Sequence, residues 1–133
     1  MRKATEELGY DGGLHCDLRV TDLARSLAWY TDVLGFRVVH HVPEAGWAEL
    51  QTPVREVRVG LTEVERMPPA GGGAVPTFNV RDVDAARGYL ERRDDVRFDG
   101  DTCTIEGWVR LATLYDPDGN VLMLAQSLRA APA

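Results

Sequence analysis

The chain has 133 residues, 44% of them hydrophobic and 27% charged, and its formal net charge is −6. This composition is typical of one soluble globular domain, because the length cannot supply two independent cores. The acidic balance without a basic block argues against a nucleic-acid partner, and the lack of a long apolar run argues against a membrane span or a signal peptide, so we predict a cytoplasmic protein.

The first predicted elements are a strand and a helix. Residues 1–13 are typical of a flexible lead-in, and residues 14–20 are strand-like. Asp22 stands where a helix N-cap belongs, and Gly35 is the expected stop, since a left-handed turn there favours glycine. Between them runs one apolar stripe at helical spacing, predicted to face the core: Leu23, Leu27, Tyr30 and Leu34.

Three further strands complete the first unit, and a second unit repeats its order. The first unit adds strands at 36–42, 47–52 and 57–63, and the Pro/Gly-rich segment 68–73 is the expected linker. The second unit is predicted to contain a strand at 75–80, a helix at 83–92 and strands at 96–98, 108–114 and 121–126, before a frayed tail at 127–133. Asp116 to Asn120 reads Asp-Pro-Asp-Gly-Asn, a strong turn signal.

The two units form an internal repeat. Val20-Thr-Asp-Leu and Val80-Arg-Asp-Val stand 60 residues apart, while Trp47-Ala-Glu-Leu and Trp108-Val-Arg-Leu stand 61 apart. Each unit is too small to bury its apolar face alone, so the two must pack together. We therefore predict an α+β fold of two tandem βαβββ modules, 14–67 and 74–126, within a single domain at 14–126. The modules would form a cup-shaped, curved mixed sheet with helices on its outer face.

Two stretches of the chain resemble the vicinal-oxygen-chelate superfamily, the group of glyoxalase I, bleomycin-resistance proteins and extradiol dioxygenases. They are residues 20–36, VTDLARSLAWYTDVLGF, and residues 115–120, YDPDGN, with the strand that follows. The resemblance implies paired modules whose sheets form a cup that is usually completed by dimerisation. Because this fold supports lyases, isomerases, dioxygenases, transferases and drug binders, it predicts the fold more sharply than the function.

The resemblance also implies four places for metal ligands, on the first and last strands of each module. In this chain they correspond to His15, Gly60, Val75 and Met123. Only His15 suits a hard divalent cation, and such a site needs about three oxygen or imidazole ligands. We therefore predict no bound catalytic metal and no cofactor. A rival metal site would need Glu49 or Glu63 to join His15.

Strand alternation predicts which side chains line the cup. If the helices cover one face of each sheet, every second residue faces the other way. The predicted ligand-binding residues are His15, Asp17, Arg19, Trp47, Glu49, Thr77, Asn79, Trp108, Arg110 and Met123. Two other interpretations of this face stay open: a solvated sheet surface, or a subunit contact anchored by the two tryptophans.

We predict a dimeric protein that binds an apolar or aromatic small molecule, such as an antibiotic or natural product, and sequesters it unchanged. One alternative is a metal-dependent lyase, isomerase or dioxygenase. Another is metal-free acid–base chemistry centred on Asp17 and His15. Cys16 and Cys103 match no motif, and we expect both to be free thiols.

Overall fold

The computed structural model describes residues 6–7, 9–67 and 74–129. Its helices and strands, in chain order, are β1 (Leu14–Val20), α1 (Leu23–Asp32), β2 (Arg37–Val42), β3 (Trp47–Gln51), β4 (Val57–Glu63), β5 (Thr77–Asn79), α2 (Val83–Glu91), β6 (Arg97–Phe98), β7 (Cys103–Ile105), β8 (Val109–Tyr115) and β9 (Val121–Ser127). One short 3-10 turn, Pro43–Ala45, precedes β3. The predicted linker 68–73 lies outside the described residues, as do residues 1–5, 8 and 130–133 of the predicted lead-in and tail.

The two halves of the chain have the same sheet topology. The first sheet has the order β1-β4-β3-β2, and the second has β5-β9-β8-β6 with β7 pairing beside β6 on β8. In both sheets the first strand pairs in parallel with the last, and the other pairings are antiparallel. The predicted α+β fold of two βαβββ modules is therefore confirmed, and β7 is an extra strand in the second module.

Both helices begin at the same kind of double cap. The Asp22 carboxylate accepts from the Arg25 amide at 3.0 Å, and the Asp82 carboxylate accepts from the Ala85 amide at 3.1 Å. A second group reaches each helix from the end of the last strand of its module. Glu63 Oε2 accepts from the Leu23 amide at 2.7 Å, and Gln126 Oε1 accepts from the Val83 amide at 2.9 Å. These contacts satisfy amides that a helix N-terminus leaves without intrahelical partners.

The end of α1 agrees with the sequence prediction. Gly35 follows the helix with φ 74°, the left-handed conformation that a side chain disfavours. Leu23, Leu27 and Tyr30 are buried, and Leu34 lies just past the helix, half-buried against the same core.

One apolar core joins the two modules. It contains the helix-facing residues of both sheets together with both helices. Phe36 of the first module packs edge-on against Phe78 of the second, with ring centroids 5.5 Å apart. The Trp29 indole Nε1 donates to the Asp95 carbonyl at 2.7 Å, which ties α1 to the loop after α2. Since both helix-covered sides share this core, the opposite side of each sheet faces outward.

A buried carboxylate fastens the turn between β8 and β9 to α1. Asp116 is 1% exposed and accepts from the Tyr30 hydroxyl at 2.9 Å. It also accepts from the Asp118 amide at 2.9 Å and from the Asn120 amide at 2.8 Å. Burial raises the pKa of the Tyr30 hydroxyl well above its usual value, and the neighbouring Asp116 charge raises it further. Within the same turn Gly119 has φ 85°, as the predicted turn requires.

The remaining differences from the sequence prediction are local. β5 covers only Thr77–Asn79 rather than 75–80, and β7 replaces part of a predicted loop. β7 has only three residues, which is too short to show the alternation that predicts a strand. Cys16 and Cys103 are free, Cys103 exposed and Cys16 half-buried. No helix within the described ranges is long and apolar enough to cross a bilayer.

Candidate functional site

The open side of the first sheet carries a cluster of charged and polar side chains, which we call the ionic face. Register places these residues on one side, because Asp17 pairs with Gly60 and Gly60 pairs with Glu49 across three strands. The face consists of His15, Asp17 and Arg19 on β1, Arg58, Gly60 and Thr62 on β4, Trp47 and Glu49 on β3, and His40 on β2. The predicted positions of His15, Asp17, Arg19, Trp47 and Glu49 on one face agree with this register.

Glu49 lies at the centre of the ionic face. Its side chain is only 12% exposed, and its Oε2 lies 3.0 Å from His15 Nδ1. Its Oε1 accepts from the Arg58 guanidinium at 3.2 Å and lies 3.8 Å from His40 Nε2. Because an ionised carboxylate only accepts hydrogen bonds, this contact places a proton on His15 Nδ1. Glu49 therefore fixes the orientation of the His15 ring.

Asp17 is held in place by two neighbours. The Arg19 guanidinium donates to its Oδ2, and the Thr62 hydroxyl lies 3.0 Å from Oδ1 and 2.9 Å from Oδ2. The pairing partner of Asp17 across the sheet is Gly60. A methyl group at Gly60 would lie 2.6 Å from Asp17 Oδ1 and closer still to His15 Nε2. The two side chains thus occupy the space that any larger residue at position 60 would need.

Three side chains of the ionic face, those of His40, Arg58 and Thr62, were not predicted as ligand-binding groups. A bulge between Val38 and His40 shifts the register of β2, so that His40 pairs with Glu49 and shares its face. The His40 ring stacks on Trp47, with centroids 6.3 Å apart and an interplanar angle of 18°. Strand alternation on β4 would have located Arg58, which is two residues from Gly60.

A groove of about 420 Å³ opens beside the His15–Glu49 contact. Its walls come from β1, β3 and β4 and from the segments before β1 and β4: Asp11, Gly13, Leu14, His15, Glu49, Glu56 and Arg58. The groove is open to solvent, and its lining is mainly polar. Its volume lies within the range of small-molecule sites.

The open side of the second sheet has a different chemistry, and we call it the neutral face. Thr77 pairs with Met123, which pairs with Thr113, and Asn79 pairs with Ala125, which pairs with Leu111. These six residues share one side, and none of them carries a charge. Charged residues stand at the edge of this side: Arg97 on β6, whose guanidinium lies 5.1 Å from the Tyr115 ring centroid, and Asp99 just after β6, which hydrogen-bonds to Tyr115. Thr77, Asn79 and Met123 thus lie together as predicted, on the other sheet from His15.

The predicted positions of Trp108 and Arg110 in the cup are wrong. Arg110 lies on the helix-covered side, where it forms two hydrogen bonds, 3.0 and 2.8 Å long, with the Asp84 carboxylate of α2. The Arg110 hydrogen bonds hold the pKa of Asp84 below its usual value. Trp108 precedes β8, is 57% exposed and lies under the Arg129 guanidinium, 4.1 Å from the ring centroid. Leu111, one residue beyond Arg110 on β8, lies on the neutral face.

The cause of this error is a change of offset within the repeat. Asp22 and Asp82 cap equivalent helices 60 residues apart, but Gly60 and Met123 hold equivalent places 63 apart. Glu49 then corresponds to Thr113, so the counterpart of Trp47 is Leu111 and not Trp108. The matching Trp-x-x-Leu sequences are a coincidence of spacing.

The metal-ligand places that the resemblance implied do not provide a site for a hard divalent cation. Gly60 and Val75 offer no donor atom, and the Met123 thioether suits soft metals. Glu63, the proposed substitute ligand, caps α1 on the helix-covered side and does not share the face of His15. Within residues 6–7, 9–67 and 74–129 no group of three or more His, Cys, Asp or Glu side chains could hold a metal ion. His15 and Glu49 alone fall short of the usual three ligands.

Comparison with known proteins identifies similar chains. The sequence model of the Glyoxalase/Bleomycin resistance protein/Dioxygenase superfamily matches residues 13–124. No curated protein matches the chain.

Among solved structures, TnmS3, an antibiotic binding protein from Streptomyces sp. CB03234, is 27% identical, with a TM-score of 0.71 over 89% of this chain and 97% of that one. A superfamily member from Sphaerobacter thermophilus is 23% identical, with a TM-score of 0.75 over 90% and 99%. The fosfomycin resistance protein FosX from Listeria monocytogenes is 15% identical, with a TM-score of 0.73 over 89% and 94%. At these last two identities the likeness concerns the fold.

Proposed function

The chain belongs to the Glyoxalase/Bleomycin resistance protein/Dioxygenase superfamily, and we propose that it binds an apolar or aromatic small molecule and sequesters it without a catalytic metal. The likeness to an antibiotic binding protein supports a ligand such as an antibiotic or natural product. The two free cysteines support a cytoplasmic location, where thiols stay reduced.

The observation that carries the proposal is the composition of the ionic face. Trp47 and His40 present stacked rings, which suit a flat partner, next to hydrogen-bonding groups on His15 and Asp17. Pockets that bind small molecules combine an aromatic surface with a few fixed polar groups in the same way. The metal-ligand place at Gly60 is instead covered by the side chains of His15 and Asp17.

The proposal includes a homodimer. Both helix-covered sides share one core, so the ionic and the neutral faces of one chain point outward, and neither is covered within the described part of the chain. A second copy that laid its neutral face over the ionic face would enclose a ligand between polar and apolar walls. Met123 would then supply adaptable packing opposite Trp47.

Tryptophan fluorescence tests the binding proposal. The chain has three tryptophans: Trp29 is buried in the core, Trp108 is exposed away from both faces, and Trp47 lies on the ionic face. We expect planar aromatic probes such as acridine and 2-naphthol to quench the Trp47 component at micromolar concentrations. The Trp47→Phe variant should lose the quenching, while the matched Trp108→Phe variant should keep it.

Mass spectrometry of the recovered probe separates binding from catalysis. The proposal expects the compound to return unchanged after long incubation with the protein. Multiple turnovers to a modified product would contradict sequestration, as would quenching that survives in Trp47→Phe. Analytical ultracentrifugation tests the dimer, and a monomer at every concentration would exclude the enclosed site.

One observation favours the metal-free acid–base enzyme as the second candidate. Glu49 Oε2 lies 3.0 Å from His15 Nδ1, which carries the proton of the neutral ring. His15 Nε2 is therefore free to accept a proton from a ligand. If the probe, or a natural product tested in its place, is converted, His15→Gln should abolish turnover, and Arg110→Gln, which alters the helix-covered side, should not.

A further inference from the structure

The most specific feature of the ionic face is the point where two hydrogen-bond acceptors converge above Gly60. His15 Nε2 and Asp17 Oδ1 both lie within contact distance of the position that a Cβ on Gly60 would occupy. The backbone of Gly60 has no positive φ, so its conformation suits any residue. The glycine is therefore required here by the two side chains that lean over it and not by the chain geometry.

Both atoms act as acceptors while His15 is neutral. Glu49 Oε2 lies 3.0 Å from His15 Nδ1 and needs a donor there, so the remaining ring nitrogen, Nε2, has a free lone pair. Asp17 Oδ1 receives the Thr62 hydroxyl at 3.0 Å, and a carboxylate oxygen can accept a second hydrogen bond. Two acceptors that converge over one residue without a side chain can share a single donor group.

Each of the two carboxylates at this point has an arginine partner. Asp17 is paired with Arg19, and Glu49 is paired with Arg58 at 3.2 Å. A cationic ligand group would gain little attraction from carboxylates that already have partners, while a neutral donor keeps both hydrogen bonds.

We propose that His15 Nε2 and Asp17 Oδ1 together bind one neutral ligand nitrogen that carries two hydrogens, as in a primary carboxamide or an aromatic amine. Gly60 and Glu49 are positioning residues for this pair: Gly60 leaves the space, and Glu49 sets the tautomer. The inference rests on the proposed binding function, because it names the part of the ligand that the ionic face recognises.

The tautomer can be tested without any ligand. Nitrogen-15 NMR of the protein at mildly alkaline pH, with His15 assigned through the His15→Gln variant, should show the proton on Nδ1 and a free Nε2. The Glu49→Ala variant should shift the population towards Nε2–H, the form that usually prevails when neither nitrogen is fixed. A wild-type ring protonated on Nε2 would overturn the inference, while fluorescence quenching by aromatic probes would be unaffected.

Two matched probes test the recognition itself. Naphthalene-2-carboxamide and its N,N-dimethyl derivative share the ring and the carbonyl and differ in the two N–H donors. We expect the primary amide to bind at least tenfold more tightly, equivalent to about 1.4 kcal/mol, because each hydrogen bond contributes on the order of 1 kcal/mol.

The Gly60→Ala variant should reduce this preference to less than threefold, since the added methyl displaces both acceptors. Gly88→Ala is the matched control, because nothing lies within 4 Å of a Cβ built at that helical glycine. If Gly60→Ala folds poorly, Asp17→Asn provides the same test: Arg19 keeps the amide oxygen at its side, so the amide nitrogen replaces the acceptor.

The outcomes separate the inference from the function beneath it. Equal affinity for the two amides, or a preference that survives in Gly60→Ala and in Asp17→Asn, would overturn the inference and leave sequestration intact. No binding by the carboxamide, with quenching by acridine, would do the same. No binding by any aromatic probe would overturn both.

Discussion

The two modules of this chain share a frame and differ in the face that the frame presents. Each has the strand order first-last-third-second, an Asp at the N-cap of its helix and a second cap from its last strand. The corresponding capping pairs, Glu63 with Leu23 and Gln126 with Val83, differ by 0.2 Å in length. The buried side therefore kept its contacts through the duplication of the unit.

The open sides have diverged completely. Where the first module has Asp17, Gly60 and Glu49 in register across three strands, the second has Thr77, Met123 and Thr113. The two carboxylates of the first row form ion pairs with arginines on the same face. The second row has only small or flexible, uncharged side chains. The comparison shows that topology depends on the core side of each strand, so the other side is free to acquire a new chemistry.

The largest expected effect distinguishes two hairpin turns: the turn before β9, which contains Asp116, and the turn before β4, which begins at Thr52. Asp116→Ala should lower the free energy of unfolding by about 3 kcal/mol, because it leaves several buried donors without partners. In the first module Thr52→Ala removes a hydroxyl that donates to the Val57 carbonyl at 2.7 Å and accepts from the Val54 amide at 3.1 Å, and it should cost about 1 kcal/mol. Urea denaturation measures both. Equal losses would contradict the role of Asp116 as the fastener between modules.

The second prediction tests whether the caps from Glu63 and Gln126 stabilise their helices equally. Glu63→Ala and Gln126→Ala should each lower the free energy of unfolding by about 1 kcal/mol, the usual cost of losing a capping acceptor. At high salt the loss from Glu63→Ala should shrink and that from Gln126→Ala should not, since only Glu63 interacts through its charge with the helix dipole. Unfolding is induced by urea or heat for this comparison, because guanidinium chloride is itself a salt. A loss confined to one module would show that the caps are not equivalent.

The smallest expected effect concerns a contact that only the second module has. Hydrogen bonds from Arg110 lower the pKa of Asp84 in the folded state, so the stabilisation by this pair is present near neutral pH. It is lost as the pH falls through the folded-state pKa, where Asp84 becomes protonated. Asp84→Asn should therefore lower the urea midpoint slightly near pH 7 and not at about pH 2. A larger effect in acid than at neutral pH would contradict this sign.

Most of the frame could be predicted because its signals are local. Asp22 before an apolar stripe and Gly35 after it define α1, and the Asp-Pro-Asp-Gly-Asn turn separates β8 from β9. These features depend on residues within a few positions of one another, which one sequence displays. The domain boundaries and the ligand-binding roles of the site residues stay predictions.

The site was predicted less well, because a face depends on register between strands that are distant in sequence. The bulge before His40 and the shift that pairs Leu111 with Ala125 cannot be seen in the alternation of any one strand. In the second module the change of offset accompanies the extra strand β7. Trp47 and Trp108 stand 61 residues apart, so the offset of the repeat looked almost constant in the sequence. Arg110 was consequently assigned to the wrong side of its sheet.

The turn at Asp116 has a consequence for how the protein is made. During synthesis the amino-terminal module leaves the ribosome first, yet Tyr30 and Arg19 find partners in this turn 86 and 101 residues further along. Contacts at such separations close large loops and form late. These contacts of the first module therefore form only after the turn at Asp116 has left the ribosome.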